Sequence, residues 1–455
     1  MSHPRREFLM GIPLAGAVSA PAQPAGSRSL EERLLTALES IETFDSHEHI
    51  IPEKDRLAQP ADFFTLASHY AISDVQSAGL PADSMRLIND QKAPLPARWD
   101  AFEPFWKHAR FTGYSQALRI AVRDIYGVEE ISGGTLGKIN DAITVRNKPG
   151  LYRWVLKERA RIRYAVVDDY WNAKPTRLED EPLLLAHKFD RFVQPWSRGD
   201  VEKLEQITGN SITSLDTLKQ ALAKNFLQSI DVGMVTVKST LAYDRDLLFR
   251  EVSEADASRD FERMMRGGET LPQGFRRHVE RPFRNLEDHM FHQVVRLADE
   301  YRFPFQVHTG LHAGSGNFVT NSNPTMLTNV FSLYPKVKFD LFHISYPYQG
   351  ELGVLAKLFP NVYADFCWAH IIAPGAAQRT LHEFLETIPV NKIFGFGGDY
   401  RFPELSYAHL VIARRNIARV LAEKVQNRFC TESEASEIGR MLLHDGPAEF
   451  FKRRG

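Results

Sequence analysis

The sequence predicts an α/β fold, a (β/α)8 TIM barrel with a long helical insertion after strand 1. Three observations carry this. Eight short apolar or β-branched runs are spaced along the chain, helical patterns separate the later ones, and several runs end in a side chain able to bind a metal or move a proton. The strand candidates are 43–47, 162–168, 189–194, 233–238, 303–308, 337–343, 361–366 and 392–399. The helical patterns are 286–300, 324–333, 349–359, 377–386 and 404–423, where apolar residues return every three or four positions.

Two connections exceed ordinary strand-to-helix loops. Residues from about 50 to 158 read as mostly helical and carry Trp99, Phe102, Phe105, Trp106 and Tyr114, and a charged stretch runs from 239 to 285. In a barrel both would cover the mouth at the C-terminal ends of the strands. The segment of about 432–452 reads as a pair of C-terminal helices broken at Asp445-Gly446-Pro447, with Phe450 and Phe451 placed to dock on the barrel. No linker marks a second domain, so residues 23–455 read as one barrel.

Residues 1–22 read as an export address. Arg5-Arg6 precede Phe8-Leu9, a weakly apolar run to Ala20, and Ala20-Pro21-Ala22. This order resembles a twin-arginine signal, which implies a periplasmic or secreted protein. The run is too short for a transmembrane span, so no membrane association is expected.

Composition narrows the function. With 455 residues, 43% of them hydrophobic, the chain can bury a large core without covalent staples. Lys and Arg (56) balance Asp and Glu (57), which leaves no basic excess for nucleic acid. A small-molecule substrate is the expected partner, and association with a second copy of the chain stays open. The two cysteines, Cys367 and Cys430, are too few for a thiolate cluster, so a metal must rest on imidazoles and carboxylates.

The first strand ends Phe44-Asp45-Ser46-His47-Glu48-His49, and residues two apart on a strand face the same side. Lys238, His308, His343 and Asp399 stand at the ends of four further strand candidates. Each alone has an ordinary explanation: a core imidazole, a snorkelling lysine, a helix cap. Together, at the face where barrel active sites form, they favour a divalent metal site.

This pattern resembles the amidohydrolase superfamily, which has His-x-His on strand 1, often lysine on strand 4, histidines on strands 5 and 6 and aspartate on strand 8. The likeness is closest to the amidohydrolase-2 branch, in particular the domain that precedes glutamine-synthetase-like modules. It rests on Val237-Lys238-Ser239, Ala242-Tyr243-Asp244-Arg245, Val307-His308-Thr309-Gly310, Phe342-His343-Ile344-Ser345-Tyr346-Pro347, Pro360-Asn361-Val362-Tyr363-Ala364-Asp365 and Phe396-Gly397-Gly398-Asp399. The match is good over residues 304–425 and elsewhere consists of isolated motifs. The 455 residues hold no glutamine-synthetase-like module, and the segment after strand 1 has no counterpart.

The resemblance implies one or two divalent ions, with zinc the first choice. His47, His49 and Asp399 would hold the first. His308 would join it in a one-metal site, or move with His343 to a second ion bridged by a carboxylated Lys238. Asp399 is the natural general base, with His343 acting on the substrate in a one-metal site. Tyr243 and Arg245 could grip an anionic group, while Trp368 and His370 are wall candidates. The reaction expected first is metal-dependent hydrolysis of an amide, lactone or related carboxyl derivative of a small anionic substrate. Non-oxidative decarboxylation is the alternative, followed by uronate isomerisation, which only the long insertion suggests, and by a binding protein with a decayed site.

Overall fold

The computed structural model describes residues 28–169, 174–178 and 182–452; the expected export signal lies outside them. Eight strands pair in parallel in chain order: β1 Thr43–Glu48, β2 Ile162–Asp168, β3 Leu183–Lys188, β4 Met234–Ser239, β5 Phe305–Val307, β6 Phe339–Leu341, β7 Val362–Asp365 and β8 Ile393–Phe394. The chain just after β8 closes the barrel onto β1. Ser46 N–H donates to Phe396 O at 3.2 Å, Asp399 N–H to His47 O at 2.9 Å and His49 N–H to Tyr400 O at 3.1 Å. The architecture is the (β/α)8 barrel read from the sequence.

The third strand is a correction. The sequence pattern places it at 189–194; it lies at Leu183–Lys188, pairing Leu185 with Val167 and Lys188 with Lys238. The displaced segment opens the short helix Asp190–Val193 instead. Asp190 is claimed by the next loop, its carboxylate accepting from Thr240 N–H at 2.7 Å and from the Thr240 hydroxyl at 3.0 Å. Leu185 and Ala186 are buried in the true strand, while Phe189, Phe192 and Val193, also buried, pack from the short helix and the turn into it.

Strand 8 is shorter than the expected 392–399, because Gly395 to Gly398 leave the ladder to press on their neighbours. A Cβ on Gly397 would lie 2.5 Å from Ser46 Oγ, and one on Gly398 would overlap the Glu48 carboxylate. Only glycine permits this approach. The five helical patterns of the C-terminal half are found as Arg284–Glu300, a 3-10 turn Pro324–Leu327 leading into Thr328–Leu333, Gln349–Leu358, Pro374–Thr387 and Pro403–Gln426.

The insertion is helical as read. In Leu95–Ala109, Trp99, Phe102 and Trp106 form a buried stripe that packs with Phe63 and Phe64. It is fastened to the barrel through Glu404, which accepts from Arg56 Nη2 at 3.2 Å and from the Tyr126 hydroxyl.

The C-terminal segment departs from expectation at Asp445-Gly446-Pro447, which stays helical. A π-helical turn, Met441–Asp445, runs directly into Gly446–Phe450, and Pro447 occupies its first turn, where a missing N–H costs little. Phe450 and Phe451 dock as read. They close the barrel floor, with Phe451 stacked on Phe44 at 5.3 Å and Phe450 against Phe394 and Tyr363 at 5.0 and 4.8 Å. Phe450→Ala is expected to cost about 3–4 kcal/mol in urea unfolding. An unchanged midpoint would show that the floor does not depend on this plug.

Candidate active site

At the opposite end, His47, His49, Lys238, His308, His343 and Asp399 line one pocket of about 290 Å³. The barrel brings together strand ends that lie far apart in the chain, and Tyr243 joins them, its ring 4.6 Å from that of His308. The Tyr243 hydroxyl accepts from Ala313 N–H at 2.9 Å.

Asp399 Oδ1 lies 3.1 Å from His49 Nε2 and 3.8 Å from His47 Nε2, while Oδ2 lies 3.9 Å from His343 Nε2 across the pocket. Burial alone would raise the Asp399 carboxyl, but the hydrogen bond with His49 and the nearby His343 and Lys238 hold it at about 2. The carboxylate is therefore anionic at neutral pH. Burial, reinforced by Lys238 and neighbouring imidazoles, pushes His47 well below its ordinary pKa; burial also pushes His343 down to about 4 and His308 well below normal. These imidazoles are neutral at pH 7, the form that binds metals.

The backbone sets the tautomers of two of them. His343 Nδ1 is 2.9 Å from Cys367 O and His308 Nε2 is 2.9 Å from Leu311 O, so each of these nitrogens carries the proton and donates it. The remaining nitrogens, His343 Nε2 and His308 Nδ1, then face each other at 3.1 Å with two lone pairs and no proton between them. Both His47 nitrogens are buried and have no hydrogen-bond partner among the described residues. Neutral donors arranged in this way fit a divalent cation, with the carbonyl-anchored ring N–H groups acting as the usual orienting contacts. Groupings compatible with a metal occur at His47, His49 and Asp168, and at His343, Cys367 and Asp399.

The backbone at the pocket is strained. Asp399 has φ 59°, Trp368 63° and Tyr70 69°, and His343, Ile344 and Ser345 form a left-handed run at 63°, 47° and 51°. Such conformations cost of order 1–3 kcal/mol each in residues with a Cβ and persist where surrounding contacts impose them. At Asp399 those contacts are visible. Asp45 Oδ1 accepts from Gly398 N–H at 3.0 Å and from His47 N–H at 3.3 Å, and Glu48 Oε2 accepts from Tyr400 N–H at 2.7 Å.

Lys238 is buried, with Nζ 3.3 Å from the centroid of the Phe342 ring. Burial lowers its pKa to about 8, against the pull of Asp168 and Asp399. Trp368 lies edge-on to His343 at 5.0 Å and stacks on Tyr70 at 4.6 Å, at the rim of a neighbouring cavity.

Two sequence assignments are corrected. Arg245 does not reach the pocket. Its side chain is fully buried, with Nη1 2.9 Å from Glu287 and Nη2 2.7 Å from Asp288, both on the helix that precedes β5. Both carboxylates of the pair are themselves fully buried, so the guanidinium is held inside the fold and not offered to the pocket. His370 is likewise structural, donating from Nε2 to Gly395 O at 3.0 Å and accepting from Asn416 at 3.3 Å.

The sequence reading missed His69, Tyr70 and Lys188 as pocket residues. Lys188 ends the true third strand and pairs with Asp168 at 3.2 Å; an apolar run ending in lysine, as at Lys238, was the available signal. His69 and Tyr70 come from the insertion, where no motif announces them. His409, which lies beneath the site and donates to Gly398 O at 3.0 Å, was also missed.

Residues 218–433 match the family model described as Amidohydrolase. Protein fluG of Emericella nidulans is 28% identical over 246 residues, covering 51% of this chain, and the match spans only 28% of that protein's length. Among solved structures, uronate isomerase from Thermotoga maritima superposes with a TM-score of 0.76 at 19% identity, covering 93% of this chain and 97% of that one. Glucuronate isomerase from Caulobacter crescentus gives 0.73 at 18% identity, covering 96% of each chain. At these identities the structural likeness shows the fold.

Because Arg245 serves a buried ion cluster, Arg245→Ala is expected to destabilise the protein by about 3–5 kcal/mol in chemical denaturation. Wild-type stability with only a raised KM would return Arg245 to substrate binding.

Proposed function

Starting from the amidohydrolase match over residues 218–433, we propose that the protein is a metal-dependent hydrolase of an amide, lactone or related carboxyl derivative of a small anionic substrate. The observation that carries the reading is an anionic Asp399 held 3.1 Å from His49 Nε2, in a pocket where His47, His308 and His343 offer neutral nitrogens. His47, His49 and Asp399 would hold the principal ion, with His308 and His343 available to it or to a second one. A divalent ion there, zinc by first choice, supplies Lewis acidity towards a carbonyl and lowers the pKa of water.

The chain's own groups supply the rest. Asp399 orients the attacking water, accepts its proton and returns it to the leaving group. His343, its Nδ1–H tied to Cys367 O, keeps Nε2 directed at the same centre. Lys188, paired with Asp168, and Lys238 line the same wall, where either amine can meet an anionic substrate group. Tyr243 lines the pocket beside His308. Periplasmic export through the Arg5-Arg6 signal belongs to the same proposal.

A second reading, aldose-to-ketose isomerisation of a uronate, draws on the helical insertion. Through His69 and Tyr70 that insertion roofs the same pocket. It needs proton transfer between adjacent carbons rather than water attack.

The test is turnover of N-acyl amino acids and lactones by metal-supplemented protein, alongside D-glucuronate. Asp399→Asn and His47→Ala are expected to lower hydrolysis at least about 100-fold with the circular dichroism spectrum unchanged. Wild-type turnover in either variant would overturn the site, and uronate conversion without hydrolysis would replace the first reading with the second.

A further inference from the structure

Tyr70 stands between the metal pocket and a neighbouring space. That space is a second cavity of about 780 Å³, and Tyr70 and Ala313 line both. The insertion supplies one side, from the helices Ala71–Ser77 and Ala82–Asn89, and the loop after β5 supplies the other. Its volume falls in the range of ligand sites, whereas 290 Å³ beside the imidazoles accommodates only a small reacting group.

The chemistry of the walls is selective. Tyr70, Tyr114 and Trp368 form a stacked group, with Tyr70 at 4.6 Å from Trp368 and 5.1 Å from Tyr114, and with Tyr114 nearly parallel to Trp368 at an interplanar angle of 4°. Leu80, Met85 and Leu311 add aliphatic surface. Two charged side chains also stand at the wall: Asp74, which accepts from the Thr112 hydroxyl, and the exposed Arg86, which pairs with Asp83. His312 donates from Nε2 to Ala242 O at 3.0 Å. Tyr114, the half-buried ring of the three, together with Leu80, Met85 and Leu311 gives the cavity an apolar wall that suits a neutral aryl group. The left-handed backbone of Tyr70, φ 69°, sits at the junction, where strain is held by the ring stack on both sides.

We infer that this cavity is the binding chamber for a neutral aryl portion of the substrate, whose carboxyl derivative lies in the metal pocket beyond Tyr70. The inference rests on the hydrolase reading for the reacting group and adds the class of what is attached to it. Substrates are then aryl-bearing amides or esters rather than short aliphatic acids.

Calorimetric titration of the metal-loaded protein tests this with N-acetylglycine, N-phenylacetylglycine and N-quinoylglycine, whose ring is saturated and polyhydroxylated. The phenylacetyl compound is expected to bind at least about ten-fold tighter than the acetyl compound. Met85→Trp, which fills the chamber away from the metal pocket, should abolish that preference and leave N-acetylglycine unaffected; Ala82→Trp serves if the first variant does not fold. Equal affinities in the wild type, a preference that survives filling, or tighter binding of the quinoyl compound would overturn the chamber while leaving the hydrolase reading intact. Phenylacetylglycine binding that responds to Met85→Trp but not to Asp399→Asn or metal removal would keep the chamber and sink the hydrolase reading. Absence of binding by all three compounds would overturn the inference.

Discussion

The seam between β8 and β1 is the constraint on which the site depends. Strand 8 pairs for only two residues before Gly395 to Gly398 turn inward, and the barrel is closed by the bonds of Ser46, Asp399 and His49 across that turn. Because Gly398 packs directly on Glu48 and donates to Asp45, the next residue is driven into a left-handed conformation with φ 59°. That residue is Asp399, and its carboxylate is thereby delivered to His47 and His49. The carboxylates that hold the turn are themselves buried, and burial raises Asp45 to about 7 and Glu48 well above its ordinary value. Closure of the fold and assembly of the site are one structural event.

The same principle of backbone anchoring governs the imidazoles. Cys367 O and Leu311 O each take a ring proton, which fixes what His343 and His308 present to the pocket. Burial keeps these rings neutral, while the hydrogen bond with His49, with His343 and Lys238 nearby, keeps Asp399 ionised. A negative carboxylate among neutral nitrogens is an arrangement that a cation completes. The insertion adds the roof: Arg56 and Tyr126 fasten it to Glu404, and its Tyr70 separates the reacting pocket from the larger cavity.

Much of this was legible in the sequence, for physical reasons that differ by element. Strand ends rich in β-branched and aromatic residues announced themselves, and the rule that barrel sites form at C-terminal strand ends picked out His47, His49, Lys238, His308, His343 and Asp399 without contact information. Phe450 and Phe451 were readable as a dock because large aromatic residues at a chain end seek burial. What was not legible depended on competition between distant parts. Whether Arg245 meets a substrate or Glu287 and Asp288 is decided by the placement of another helix. Strand 3 was displaced because Asp190 is held by Thr240, a partner fifty residues away in sequence. His69 and Tyr70 follow no local pattern, since their role comes from how the insertion folds back over the barrel.

Elemental analysis of the purified protein, expressed with metal supplementation and without chelator, tests whether these side chains converge on a divalent cation. One or two equivalents of metal per chain, lost in His47→Ala without loss of the folded spectrum, is the predicted result. A folded, stable wild-type protein that holds no divalent metal after supplementation would contradict it.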